Sequence, residues 1–129
     1  MSITHFRQLD VWRLSMQMVR DVYSLIESFP DQQKYILTSQ IQRSAISIPS
    51  NIAESNARAS RKDHARVVPN ALGSCAELHT QVLLARDLDF VSRDDFTGVM
   101  QSCERVGQML QRLHQVLLRS QTSSPESRQ

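Results

Sequence analysis

An unbroken heptad pattern near the end of the chain is the strongest constraint on its fold. Apolar residues recur there at alternating spacings of three and four, at Phe96, Val99, Cys103, Val106, Leu110, Leu113 and Leu117. This spacing puts the side chains along one face of an α-helix, which needs other apolar surfaces to cover it. Ser92, followed by two aspartates that suit the positive end of the helix dipole, predicts where this helix begins.

Two apolar rows share the first segment, which runs from about residue 3 to residue 28. The first row is Leu9, Trp12, Met16, Val19, Tyr23 and Ile26. The second row is Val11, Leu14, Met18, Val22, Leu25 and Phe29. A helix of an isolated bundle needs one apolar face, so two rows predict that this helix is also covered from a second direction.

The second and third segments each contain one apolar row and one proline. The second runs from about residue 33 to 54, and its row is Leu37, Ile41, Ala45, Ile48 and Ile52. We expect a kink at Pro49, because proline removes the hydrogen bond to the Ala45 carbonyl. The third opens at Ser60, with Asp63 three residues on as in a capping box, and Pro69 bends this helix or delays its regular start. Its row is Val68, Ala71, Cys75, Leu78, Val82 and Ala85.

Four amphipathic segments with short connections predict an all-α fold, an up-down-up-down antiparallel four-helix bundle. Aromatic residues make up only 5% of the chain and there are three glycines, which favours helices over strands. The bundle is expected to cover residues 1–120, with 121–129 as a flexible polar tail. If the third and fourth helices are antiparallel, Cys75 and Cys103 lie at the same height in the bundle. We therefore predict that they are reduced thiols in one core layer; the alternative is a redox-active disulfide between them.

The sequence lacks the residue patterns of catalytic and metal sites. Di-metal bundles need Glu-x-x-His on two helices. Here the residues three positions after Glu54, Glu77 and Glu104 are alanine, threonine and glycine, and none is histidine. Cys75 and His79 are four residues apart, and no second pair supplies the remaining metal ligands. A Gly-rich phosphate loop and a nucleophile elbow are also missing. We therefore expect no enzyme, catalytic residue, cofactor, metal or small-molecule substrate.

The N-terminus and the apolar runs indicate a cytoplasmic protein. The opening MSITHFRQLDVWRL has no basic stretch followed by an apolar core, so we do not interpret it as a signal peptide. The longest apolar runs are only a few residues, too short to span a membrane. We expect a cytoplasmic location and no membrane partner.

Polar side chains line one face of the second segment and continue into a basic turn. At about 100° per residue, the polar seam falls within one narrow sector away from the apolar row. It consists of Gln40, Arg43, Ser47, Asn51, Glu54 and Arg58. The basic turn contains Arg58, Arg61, Lys62 and Arg66. The net charge of the chain is only +2, but residues 34–66 carry six Lys or Arg against two carboxylates.

Three interpretations of the polar seam and the basic turn stay open. In the first interpretation, the seam is a solvated face with ion pairs within the helix, such as Glu54 with Arg58. Alternatively, it is a contact between subunits. In the third interpretation, basic side chains bind the phosphates of RNA or DNA, helped by the amides at the start of the third helix. The phosphate contacts would then be Arg43, Arg58, Arg61, Lys62 and Arg66.

The second segment also carries a long motif that resembles a known family. Residues 37–54 read L-T-S-Q-I-x-R-S-A-x-S-I-P-S-N-I-A-E. This stretch closely resembles the signature of the four helix bundle protein family, first noted as open reading frames in intervening sequences of 23S rRNA genes. The similarity extends to Leu9–Trp12, Phe29-Pro30, Gly73-Ser74 and Glu77-Leu78. It therefore covers most of the chain.

The resemblance implies a small cytosolic four-helix bundle that assembles into a pentameric ring or barrel. The family is similar to the accessory variability protein of diversity-generating retroelements, a basic pentamer that binds a reverse transcriptase and nucleic acid. For this chain the resemblance implies a homo-oligomer with RNA or DNA as a partner. Our leading hypothesis is thus a non-catalytic oligomeric scaffold whose basic rim engages nucleic acid. The rival is a protein-binding adaptor whose polar seam makes subunit contacts.

The chain departs from the family pattern around the basic turn. Ser55 and Ala57 stand where relatives have glycines, so we expect a turn that is tighter or more helical. His64 and Val67 replace residues that tend to be phenylalanine in the family. Pro69, with Asn70 after it, interrupts a stretch that relatives keep apolar and helical.

Overall fold

Four α-helices form the part of the chain that the structure, a computed structural model, describes, which is residues 5–122. They are α1 Asp10–Leu25, α2 Leu37–Asn56, α3 Arg61–Asp87 and α4 Arg93–Thr122. Short 3-10 turns cover Phe6–Gln8, Ile26–Ser28 and Asp31–Gln33. Residues 5–122 contain no strand, and the predicted all-α fold is confirmed.

Serine hydroxyls cap α3 and α4, the two helices for which the sequence predicted a capping residue. Ser60 Oγ accepts a hydrogen bond from the Asp63 N–H at 3.1 Å, and Ser92 Oγ accepts one from the Asp95 N–H at 3.2 Å. Each bond satisfies an amide that has no partner inside its own helix. The predicted starts of α3 and α4 are confirmed.

The boundaries of α1 and α2 differ from the prediction. Leu9 has an extended backbone, with φ −77° and ψ 125°, and separates the first 3-10 turn from α1. The last predicted turn of this segment, Ile26–Ser28, is again 3-10. The backbone of Ile36 is also non-helical, with φ −118° and ψ −99°, so α2 begins at Leu37 instead of residue 33. Residue 3, the predicted start of the first segment, lies outside the described residues.

Helices α2, α3 and α4 bury the rows that the sequence singled out. The buried residues include Leu37, Ile41, Ala45, Ile48 and Ile52 of α2, and Val68, Ala71, Cys75, Leu78, Val82 and Ala85 of α3. In α4 they include Val99, Cys103, Val106, Leu110 and Leu117, whereas Phe96 and Leu113 are half-buried. Helix α1 contacts α2 and α4, and α3 contacts the same two helices. This ring around one apolar core confirms the four-helix bundle.

Contacts between helix ends show which ends are neighbours. Ser28 Oγ donates a hydrogen bond to the Phe90 carbonyl at 3.0 Å, which joins the end of the first segment to the connection between α3 and α4. At the other end, Ser55 Oγ donates to the His64 carbonyl at 3.0 Å, across the connection between α2 and α3. Such neighbours are expected where adjacent helices run in opposite directions. The up-down-up-down order itself stays a prediction.

The two cysteines lie in one core layer. Both are buried and neither forms a disulfide. The Cys103 thiol donates to the Cys75 carbonyl, with 3.6 Å between sulfur and oxygen. The hydrogen bond with Cys103 and the burial raise the pKa of the Cys75 thiol, so Cys75 stays protonated at neutral pH. The prediction of reduced thiols at one height is confirmed.

The second apolar row of α1 is largely inside the bundle, with only Leu14 half-buried. Val11, Met18, Val22 and Leu25 of the second row are buried, as is Phe29 after the helix. The first row is half-buried at Leu9, Trp12, Met16, Val19 and Ile26, and exposed at Tyr23. Within a single chain, the first apolar row of α1 is therefore only partly covered.

Both interior prolines lie within continuous helices. Helix α2 extends from Leu37 to Asn56 across Pro49, and α3 extends from Arg61 across Pro69. Pro69 therefore does not delay the start of α3, and the kink at Pro49 stays a prediction. Helix α4 runs through Thr122, and residues 123–129 of the predicted tail lie outside the described residues.

Candidate nucleic-acid interface

The basic turn covers the connection between α2 and α3 and the first two turns of α3, and backbone hydrogen bonds hold the start of the connection. The Ala57 N–H donates to the Ala53 carbonyl at 3.1 Å, and the Arg58 N–H donates to the Ser55 carbonyl at 3.2 Å. These bonds continue the helical pattern past the point where family relatives are expected to have glycines. Helix α2 accordingly reaches Asn56; that this turn is tighter or more helical than in the family stays a prediction.

A buried serine ties α2 to α3 beside this turn. Ser55 is only 1% exposed, and its hydroxyl donates to the His64 carbonyl at 3.0 Å. Burial and the positive charge of Arg61 lower the pKa of His64, so its ring is neutral at neutral pH and adds no charge to the turn. Sequence reasoning found Ser55 only as a departure from the family glycine, because a lone serine contributes nothing to an apolar pattern.

Four exposed cations follow one another through the turn and the first two turns of α3. They are Arg58, Arg61, Lys62 and Arg66. Arg58 Nη2 lies 2.6 Å from Glu54 Oε1, and Arg66 Nε lies 3.7 Å from Asp63 Oδ1. Exposed pairs of this kind stabilise a protein by only about 0.2–1 kcal/mol. Their weakness leaves both guanidinium groups free to exchange a carboxylate for a phosphate.

Arg43 lies apart from the other four predicted phosphate contacts. It is exposed near the middle of α2, fifteen positions before Arg58. At about 1.5 Å per residue, the part of this separation that lies within α2, from Arg43 to Asn56, corresponds to roughly 20 Å along the helix axis. The structure therefore brings Arg58, Arg61, Lys62 and Arg66 together and places Arg43 at a second location.

The polar seam follows one face of α2 from its first turn to its last. Gln40, Arg43 and Glu54 are exposed, and Ser47 and Asn51 are half-buried. The Ser47 hydroxyl donates to the carbonyl of the residue three positions earlier, at 2.7 Å. Because α2 remains helical between residues 37 and 56, these side chains stay on one side of it.

The last member of the seam, Arg58, lies beyond the helix end and reaches back to Glu54. This is the pair that the interpretation of the seam as a solvated face expects. It occupies the Glu54 carboxylate within the chain, whereas Arg43 has no carboxylate partner among residues 5–122.

A scan against family models matches residues 7–112 to the 23S rRNA-intervening sequence protein family. The chain belongs to this family. The match to the 23S rRNA-intervening sequence proteins begins inside the first 3-10 turn and ends within α4. It therefore includes the polar seam and all five predicted phosphate contacts. A search of curated proteins found no match.

A groove between α3 and α4 brings the cysteines close to two titratable side chains. Cys75, His79, Cys103 and Glu104 all line it. Within residues 5–122, however, no three His, Cys, Asp or Glu side chains are arranged so that they could hold a metal ion. Within the described residues, this groove is therefore not a candidate metal centre. None of the helices described is both long and apolar enough to cross a membrane.

Proposed function

We propose that this chain is a non-catalytic scaffold that assembles with copies of itself and binds RNA or DNA through the basic turn. The observation that carries the proposal is the run of four exposed cations, with Arg58 on the connection after α2 and Arg61, Lys62 and Arg66 in the first two turns of α3. Phosphates are the most common polyanionic partners of such a surface, since a guanidinium group matches a phosphate with two parallel hydrogen bonds.

The start of α3 adds to the attraction for phosphate. The first amides of an α-helix point toward solvent and carry the positive end of the helix dipole. Lys62 and Arg61 occupy this first turn, immediately after the Ser60 cap. Charged side chains and helix dipole therefore act on a bound anion from the same place.

Self-assembly is supported by the apolar surface that the single chain leaves uncovered. Trp12, Met16 and Val19 of α1 and Ile46 and Pro49 of α2 line one groove, together with small residues and no charged side chain. A second copy of the chain fits this surface better than a charged ligand does, because the groove offers apolar area and no ionic partner. By family resemblance, the assembly is a pentamer.

A titration of RNA and of DNA into the protein at several salt concentrations tests the nucleic-acid part of the proposal. With four phosphate contacts, affinity should fall about a hundredfold between about 50 and 200 mM salt, because each contact releases counterions. Arg58→Ala combined with Arg61→Ala should weaken binding to all sequences alike and lower the slope against log salt by about two. A gel-shift titration without any complex at low salt would refute the binding proposal.

Protein binding through the polar seam is the second candidate function. The observation that favours it is Arg43, exposed on the seam without a carboxylate from residues 5–122. In an adaptor, Arg43 would pair with a carboxylate of a neighbouring subunit. Arg43→Ala or Glu54→Ala should then lower the mass measured by light scattering and leave nucleic-acid affinity unchanged.

A further inference from the structure

Charged residues are distributed unequally along the bundle. One end, which we call the basic end, is formed by residues 5–13, 54–66 and 112–119, and carries eight Lys or Arg against three carboxylates. The remaining described residues, 14–53 and 67–111, carry six Lys or Arg against nine carboxylates. The small net charge of the whole chain therefore hides a strongly basic end and an acidic remainder.

Three contacts bring these separate segments to the same end. The 3-10 turn Phe6–Gln8 contacts α2, and Trp12, against which Phe6 packs, lines a groove with Ala53 near the end of α2. Leu9 and Asp10 at the start of α1 share a groove with Arg112 and Val116 near the end of α4. The hydrogen bond between Ser55 and His64, described above, joins the end of α2 to the start of α3. All four helices thus contribute to the basic end.

The N-terminal part of this end is fixed in position by its own contacts. The Phe6 ring lies edge-on to the Trp12 ring, with 5.3 Å between centroids. Arg13 Nε donates to the Arg7 carbonyl at 2.9 Å. These contacts hold the turn that carries the exposed side chain of Arg7. The backbone that carries the Arg7 guanidinium group is therefore held against the start of α1.

The three carboxylates of the basic end are each close to an arginine of the same segment. Asp10 lies 3.8 Å from Arg13, and the Glu54–Arg58 and Asp63–Arg66 pairs have been described above. Each carboxylate is thus engaged locally. Arg7 and Arg112 are not part of these three pairs, so their charges add to the net positive charge of the basic end.

We infer that the phosphate-binding surface extends from the basic turn across the end of the bundle to Arg7 and Arg112. This inference rests on the proposed nucleic-acid binding and adds two segments to it that are distant in the sequence. The ligand is the sugar–phosphate backbone of RNA or DNA, recognised by its charge. A strand that crosses the basic end meets Arg7 of the first 3-10 turn and Arg112 of α4 in addition to the cations of the basic turn, so binding involves more phosphates than the basic turn alone can neutralise.

Fluorescence anisotropy with a labelled oligonucleotide of about 16 nucleotides tests this extension. The double variant Arg7→Ala/Arg112→Ala should weaken binding about tenfold and lower the slope against log salt by about two. The matched control, Arg20→Ala/Arg93→Ala, removes two exposed arginines outside the basic end. It should change the affinity less than about twofold, because it leaves the binding surface intact.

The outcomes separate this inference from the proposed function. If Arg58→Ala/Arg61→Ala weakens binding but Arg7→Ala/Arg112→Ala binds with the wild-type affinity and salt slope, the extension is wrong and the basic turn acts alone. If wild type forms no complex at low salt, both fail together. Arg7→Lys/Arg112→Lys keeps the charges and should retain most of the affinity. Equal losses in the lysine and alanine variants would mean that a structural defect causes the loss, and would overturn the inference.

Discussion

At the scale of single residues, the basic turn depends on a hydroxyl group that points away from solvent. Ser55 joins two helices through the His64 carbonyl, next to the cations of the turn. A glycine at this position could not make the bond. A buried residue thus joins the end of α2 to the start of α3, the two segments on which the cations of the basic turn lie.

Ser55→Ala should destabilise the protein by about 0.5–1.5 kcal/mol, because it removes the hydrogen bond that the buried Ser55 hydroxyl donates to the His64 carbonyl. Urea unfolding followed by circular dichroism would measure the change in the free energy of unfolding. Ser50→Ala is the matched control, since Ser50 is exposed and its hydroxyl bonds only to the Ile46 carbonyl within α2. It should change stability by less than about 0.5 kcal/mol. Equal effects of the two substitutions would contradict the role given to Ser55.

Periodicity predicted the apolar core well but said nothing about the buried serines. Ser15 and Ser74 are buried like Ser55. Ser15 satisfies its hydroxyl on the Trp12 carbonyl at 2.7 Å, and Ser74 satisfies its own on the Asn70 carbonyl at 3.2 Å. A helix can therefore bury a serine wherever the geometry of the neighbouring turn allows it. The spacing of apolar residues contains no information about this.

At the scale of elements, helix starts were predictable where a side chain caps them. Ser60 and Ser92 indicate the starts of α3 and α4, because serine is a preferred residue for accepting a hydrogen bond from the first free amides of a helix. The starts of α1 and α2 have no side-chain cap. A 3-10 turn precedes each of these two helices. The pattern of apolar residues alone cannot distinguish such a turn from the first turn of an α-helix.

Pro69 makes α3 less stable than its length suggests. It lies inside the helix and is exposed, so it removes a backbone hydrogen bond to the Ala65 carbonyl without adding buried area. Pro69→Ala should raise the free energy of unfolding by about 1–3 kcal/mol. The neighbouring exposed Asn70→Ala is the control, and should raise it by at most about 0.7 kcal/mol through helix propensity. Thermal unfolding of both variants would show this, and a destabilised Pro69→Ala would disprove it.

At the scale of the whole molecule, the two apolar rows of α1 define an inside and an outside. The sequence could not tell which row faces the core of its own chain, because both have the same helical spacing. The structure buries the second row and leaves Trp12, Met16 and Val19 beside Ile46 of α2. The basic turn, by contrast, was predictable as a cluster, since its cations are close together in the sequence.

If a second copy covers this outer surface, a charge placed there should separate the subunits. Ile46→Glu adds a carboxylate at a side chain that is 44% exposed in the single chain, so the isolated bundle should still fold. Inside an interface, an unpaired carboxylate costs several kcal/mol, and light scattering should then show a mass close to the 14.8 kDa of one chain. Leu84→Glu, at a side chain 48% exposed outside the groove, should keep the wild-type mass. A wild-type protein that is already monomeric, or an Ile46→Glu variant that keeps its oligomer, would show that this surface does not hold the subunits together.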